Sequence, residues 1–150
     1  MQDLKIQHYS DFHRFSCEQP AEFWKKVAEN LGIIFDQPYE KILDISQGVF
    51  KPLWFPGAKL NIVNSCLKNI KNKQTANHTA VIYQSENGPL EKTSYQDLKN
   101  LANQVSNGLQ NLVTPGDRIA IVMPMSVSSI AIYLGIIQSG CVVVAIPESF

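Results

Sequence analysis

Arginine is scarce in this sequence. Arg14 and Arg118 are the only two among 13 lysines and arginines. No guanidinium cluster is therefore available to grip phosphates in bidentate pairs. An excess of either charge is also missing, because 13 Asp and Glu balance the cations and the formal net charge is zero. That balance removes the electrostatic basis for binding nucleic acid or another polyanion. No apolar run reaches the roughly 18 residues that span a bilayer. Residues 1–16 alternate polar and aromatic side chains and lack the apolar stretch of a signal peptide. Neither nucleic acid nor a membrane is an expected partner. Cysteine is limited to Cys17, Cys66 and Cys141, odd in number and far apart. Such spacing argues against a disulfide framework and for a reducing, cytoplasmic setting. Both common nucleotide fingerprints, G-x-G-x-x-G and G-x-x-x-x-G-K-[ST], are absent.

What remains is a globular composition: 150 residues, 45% hydrophobic and 17% charged, enough to bury a core. The first half reads as short helices between loops. Pro20 suits the first turn of a helix whose apolar face is Phe23, Trp24, Val27, Ala28 and Leu31, with Gly32 as its stop. Residues 37–51 show no period and read as loop. Trp54-Phe55-Pro56-Gly57 predicts a tight reversal with its aromatics as a buried anchor. Asn61 can cap a short helix with Ile62, Val63, Cys66, Leu67 and Ile70 on its apolar face. The polar stretch 71–78 separates the halves, and we divide the chain into 1–75 and 76–150.

The second half is more regular. Residues 79–84 predict a strand, Asn87-Gly88-Pro89 a turn, and 90–93 the returning strand. Ser94 reads as an N-cap with Asp97 as its capping-box partner. Tyr95, Leu98, Leu101, Ala102, Val105, Leu109 and Leu112 recur at helical steps until Pro115-Gly116-Asp117 breaks the pattern. Two runs follow, 118–123, apolar after Arg118, and 141–146, continuously apolar, as in strands covered on both faces. Between them Ser126 caps a helix over 127–139, which Gly140 ends. Strand, helix, strand with short joints is a parallel βαβ unit. The fold class is α/β: a helical or irregular extension, a β-hairpin, a helix and one crossover.

Chemistry is thinly represented. The turn Pro124-Met125-Ser126 presents helix-start N–H groups beyond the carboxyl end of a buried strand, where α/β sheets often bind ligands; helix capping alone also explains it. His8, Asp11 and His13 lack a fourth metal partner, and no metal site is expected. His78 borders a strand at the surface. Cys66 and Cys141 fall on apolar faces, and Cys17, placed before the first helix beside Glu18, makes a poor nucleophile. Glu86 and Glu91 flank a solvated turn. Asp117 and Arg118 form a local ion pair or turn hydrogen bond. No catalytic group is identified.

Several segments in order resemble one enzyme family. Phe23-Trp24 and Trp54-Phe55-Pro56-Gly57-Ala58-Lys59-Leu60-Asn61 are similar to the N-terminal extension of acetyl-CoA synthetase-type enzymes. Ser94-Tyr95-Gln96-Asp97-Leu98 resembles the (S/T)-Y-x-(E/D)-L helix start of the adenylate-forming superfamily. Pro115-Gly116-Asp117-Arg118 followed by Met123-Pro124-Met125, and then Gly140-Cys141-Val142-Val143-Val144, resemble its later segments. The resemblance implies an N-terminal portion of an acyl-CoA synthetase. Such an enzyme activates a short- or medium-chain carboxylic acid with ATP and Mg²⁺, releasing pyrophosphate, and CoA then displaces AMP. The family's phosphate loop, ribose-binding Asp and catalytic Lys have no counterpart in 1–150. The portion is therefore expected to be a scaffold, inactive alone and prone to self-association. Pro147-Glu148-Ser149-Phe150 stands where the acetyl branch has a glycine-rich turn, so the resemblance places Glu148, Ser149 and Phe150 at the CoA entrance. The competing reading is a self-standing α/β binding or interaction module.

Overall fold

Two consecutive helices open the chain, α1 (Tyr9–Glu18) and α2 (Pro20–Leu31), in a computed structural model that describes Ile6 and residues 8–147. Pro20 occupies the first turn of α2, and Gly32 ends it in the left-handed conformation at φ 58°, which glycine adopts without the Cβ clash. Helix α1 was not legible as an element. Its N-cap, His8, makes no side-chain capping bond, so no start signal marks it. Packing holds it instead: Phe12 and Phe15 meet Phe23 of α2 edge-on, with ring centroids 5.4 and 6.1 Å apart. Cys17 thus lies inside α1 rather than before the first helix.

The expected loop over 37–51 contains a short strand. Strand β1 (Leu43–Asp44) pairs antiparallel with β2 (Leu53–Trp54), and Gln37 bridges Lys59. The Trp54–Gly57 reversal is present, with Phe55 at φ 48° and Gly57 at φ 81°. Trp54 is not fully buried. It remains 42% exposed and packs edge-on against Trp24 at 6.2 Å. Phe55 joins Phe35 and Tyr39 in a ring triad. Asp44 accepts from the Lys41 ammonium at 2.8 Å and from the Ser46 N–H at 2.9 Å. Those two bonds, the Lys41 one foremost, lower its pKa from 3.8 to about 2. The depressed value means that their stabilisation is present above about pH 4 and is lost as pH falls through about 2. We expect a carboxyl titration of Asp44 followed by NMR to show a midpoint near 2, and Lys41→Met to return it toward the ordinary range. A midpoint unmoved by that substitution would remove Lys41 as the cause.

The described residues form two compact units, divided between Leu60 and Asn61. Every buried apolar side chain among the described residues lies in the second: Val63, Leu67, Ala76, Leu98, Ala102, Ala131, Ile136 and Cys141. This unit begins with α3 (Ile62–Cys66), a 3₁₀ turn over Lys68–Lys71, and α4 (Lys73–Ala76). The polar stretch 71–78 is therefore partly helical, capped by the Asn72 side chain, which accepts from the Gln74 N–H. Cys66 is exposed, contrary to its expected apolar face. The buried side chains here are Val63 and Ser65 of α3 and then Leu67, so the inward face is not the one that carries Ile62 and Cys66.

Strands β3 (Thr79–Gln84) and β4 (Leu90–Ser94) form the expected hairpin. Helix α5 (Tyr95–Leu109) follows, with the Ser94 hydroxyl accepting from the Asp97 N–H. The Asp97 carboxylate, one methylene shorter than Glu, accepts from that same hydroxyl rather than reaching the Ser94 N–H. Strands β5 (Arg118–Ile121) and β6 (Val142–Ala145) pair in parallel around α6 (Val127–Gln138), in the register Arg118↔Val142. Helices α5 and α6 pack so closely that a Cβ on Gly135 would sit 2.6 Å from the Val105 Cβ and 2.8 Å from the Ala102 carbonyl oxygen.

Candidate functional site

Parallel strands end together, and here β5 and β6 both end beside the start of α6. Between them lies a cavity of about 500 Å³. Ile121, Met123, Pro124 and Met125 supply one wall, Ala145, Ile146 and Pro147 another, and Ser129, Ile130, Tyr133 and Leu134 of α6 the third. The sequence located this place through Pro124-Met125-Ser126. The α6 wall was not recognised, although Ile130, Tyr133 and Leu134 stand at helical spacing on one face of that helix.

The helix start expected as an anion-binding place is partly committed to its own cap. Ser126 and Ser129 form a reciprocal capping box: each backbone N–H donates to the other's hydroxyl, at 2.8 and 3.1 Å. The Ser129 hydroxyl also donates to the Ser126 carbonyl at 2.8 Å. The box occupies two of the N–H groups at this helix start, those of Ser126 and Ser129. No charged residue lines the cavity. Its residues therefore do not fit a triphosphate or Mg²⁺, and they fit an uncharged apolar group.

The other candidates are dispersed. His13 Nε2 and Cys17 Sγ approach within 3.8 Å on α1, and Asp11 pairs with Arg14 at 3.8 Å. Among the described residues no three His, Cys, Asp or Glu side chains cluster as metal ligands. His78, Glu86 and Glu91 are exposed. Cys141 is buried, with its thiol donating to the Thr114 carbonyl at 3.5 Å. Asp117 accepts from the Thr114 N–H at 2.8 Å, the turn bond expected of it. Glu148, Ser149 and Phe150, expected at a CoA entrance, lie outside the described residues. Among the described residues no helix is long and apolar enough to cross a membrane.

Asn61 does more than the sequence showed. Its Oδ1 accepts from the Val63 N–H at 3.2 Å, capping α3. Its Nδ2 donates to the Ile137 and Gln138 carbonyls at 2.8 and 3.4 Å, closing the end of α6. One side chain thus joins the start of this unit to a helix 76 residues later.

Comparison with known proteins matches nearly the whole chain. The family described as acetyl-coenzyme A synthetase N-terminus matches residues 9–66, and that described as AMP-binding enzyme matches residues 69–150. Probable acyl-activating enzyme 18, peroxisomal, from Arabidopsis thaliana is 34% identical over 97% of this chain and 20% of its own length. Hexanoyl-CoA synthase from Cannabis sativa is 33% identical over 97% of this chain and 21% of its own. The structure of acetoacetyl-CoA synthetase from Streptomyces lividans superposes with a TM-score of 0.84 at 25% identity, over 97% of this chain and 22% of that one. The chain spans about one fifth of the length of the curated relatives that it matches.

Proposed function

The chain belongs to the AMP-binding enzyme family, and from that premise we propose that it is the N-terminal part of an AMP-forming acid–CoA ligase and acts as scaffold within it. Residues 1–75 serve as the extension and 76–150 begin the AMP-binding body. The observation that carries this reading is the continuous match: an acetyl-CoA synthetase N-terminus over 9–66, then the AMP-binding family over 69–150. The fold likeness to a solved acyl-CoA synthetase over 97% of the chain supports it. The family uses ATP and CoA, and its substrates are carboxylic acids. ATP, CoA and Mg²⁺ then serve the whole ligase, in the cytoplasm, and a short- or medium-chain acid is its substrate.

The second reading, a self-standing binding module, draws support from the 500 Å³ cavity at the strand ends. Thermal unfolding with ligands separates the two. A ligand bound to the native chain stabilises it by RT ln(1 + [L]/Kd), about 2.7 kcal/mol at a hundredfold Kd. The scaffold reading expects no shift in melting temperature with Mg-ATP, AMP, CoA or hexanoate at millimolar concentration. A saturable shift of several degrees with any of them would favour the module.

A further inference from the structure

Two Asn-Gly pairs occur in this chain, Asn87-Gly88 and Asn107-Gly108, and the fold holds them differently. The first lies at the tip of the β3–β4 hairpin, where the Gly88 N–H donates to the Ser85 carbonyl at 2.9 Å and closes a β-turn. Asn87 stands third in that turn at φ 60° and is exposed. Asparagine tolerates this left-handed conformation better than most side chains that bear a Cβ. Gly88 is favoured by space, because a Cβ there would collide with the Ser85 hydroxyl. The turn thus calls, at adjacent positions, for a side-chain amide one methylene from the backbone and then a nitrogen that no side chain shields. The second pair lies in the last turn of α5. Helical backbone angles turn the Gly108 nitrogen away from the Asn107 amide, and bringing the two together requires that turn to unwind.

We propose that Asn87 is a site of covalent modification, deamidation through a succinimide, and that Asn107 is spared. The Gly88 nitrogen gives its proton to hydroxide and attacks the Asn87 Cγ. A bond forms between that nitrogen and Cγ, the bond from Cγ to Nδ2 breaks, and ammonia leaves with a proton taken from water. Water then opens the ring. Opening at Cγ leaves aspartate. Opening at the main-chain carbonyl leaves isoaspartate, in which the chain runs through the side-chain carbonyl and the α-carboxylate is free. No oxidant, metal or partner is needed, and apart from water every reacting atom belongs to two adjacent residues. The site is therefore complete within this chain and independent of the ligase reading. Either product sets a new carboxylate next to Glu86, which is itself exposed. Isoaspartate also adds a backbone methylene to the loop that closes the Gln84↔Leu90 pair. Its free α-carboxylate is the substrate of isoaspartyl methyl transfer, the class of reaction that would consume this product.

Incubating the native chain at mildly alkaline pH and physiological temperature tests it, with samples digested by trypsin over time. Cleavage after lysine and arginine places Asn87 in the peptide 74–92 and Asn107 in the peptide 100–118. Fragmentation in the mass spectrometer then assigns each amide-to-acid change to its residue. Asn87 should convert to a mixture of aspartate and isoaspartate, faster as pH rises, because the attacking nitrogen must lose its proton. Asn107 should convert roughly tenfold more slowly, limited by opening of the helix end. In concentrated urea the two rates should converge, since neither pair is then held by the fold. Asn87→Gly keeps the positive φ without strain and removes the amide. It should abolish most of the methyl incorporation that an isoaspartyl methyltransferase gives with the aged parent chain. Three outcomes would overturn the proposal. One is an Asn87 that stays unchanged in the native chain. Another is equal conversion of Asn87 and Asn107 in the native chain. The last is methyl incorporation undiminished in Asn87→Gly.

Discussion

Gly135→Ala is expected to lower the melting temperature of this chain by roughly 10 °C. Ordinarily the change would help, since alanine in place of glycine inside a helix gains about 1 kcal/mol. Here the new methyl would meet the Val105 Cβ and Cγ1 at 2.6 and 2.7 Å and the Ala102 carbonyl oxygen at 2.8 Å. Distances under 3 Å cannot be absorbed without moving α5 away from α6. Overpacking of this kind costs about 3 kcal/mol, which leaves a net loss of about 2 kcal/mol. For a unit of this size each kcal/mol is worth about 4–8 °C. The Val105 side chain supplies the two shortest contacts, so Gly135→Ala with Val105→Ala should be less than additive in its loss. A neutral or stabilised Gly135→Ala would show that the two helices are not in such close contact.

Asn61→Ala is the second large effect, at about 2 kcal/mol. The α3 cap contributes about 1 kcal/mol. The rest comes from the Ile137 carbonyl, which loses a part-buried partner at 2.8 Å. Asn61→Asp separates the two roles. It keeps an oxygen for the Val63 N–H but places a carboxylate beside the carbonyls at the negative end of α6. Chemical denaturation should therefore find the Asp variant no more stable than the Ala variant. An Asp variant as stable as the parent would confine the role of Asn61 to α3.

What the sequence disclosed followed how local each signal is. The hairpin turn at Asn87-Gly88, the caps Ser94 and Ser126 and the stop at Gly140 are each written within a few residues, and each formed where it was expected; the helical repeat expected through Leu112 formed as α5 but ends at Leu109, which leaves Leu112 78% exposed. Helix α1 and the β1–β2 pair have no such signal. The first lacks a capping side chain and is held by Phe23 from the next helix. The second is a ladder of two residues per strand, too short to alternate, and its Trp54 packs on Trp24 from α2. The cavity was half legible. Its turn follows from strand-to-helix spacing, whereas its α6 wall depends on how the crossover closes. The capping box is written in Ser126-x-x-Ser129 and takes up two of the N–H groups that an anion at this helix start would share.

We propose that residues 1–150 act as scaffold within an acid–CoA ligase without supplying its chemistry. The most direct test is ATP–pyrophosphate exchange by the purified chain, with Mg²⁺ and acetate, butyrate or hexanoate. Exchange reports adenylation itself and needs no CoA. The account predicts a rate indistinguishable from that of buffer with every acid. Acid-dependent exchange that co-purifies with the 150-residue chain would contradict it, because the adenylating groups would then have to lie within these residues.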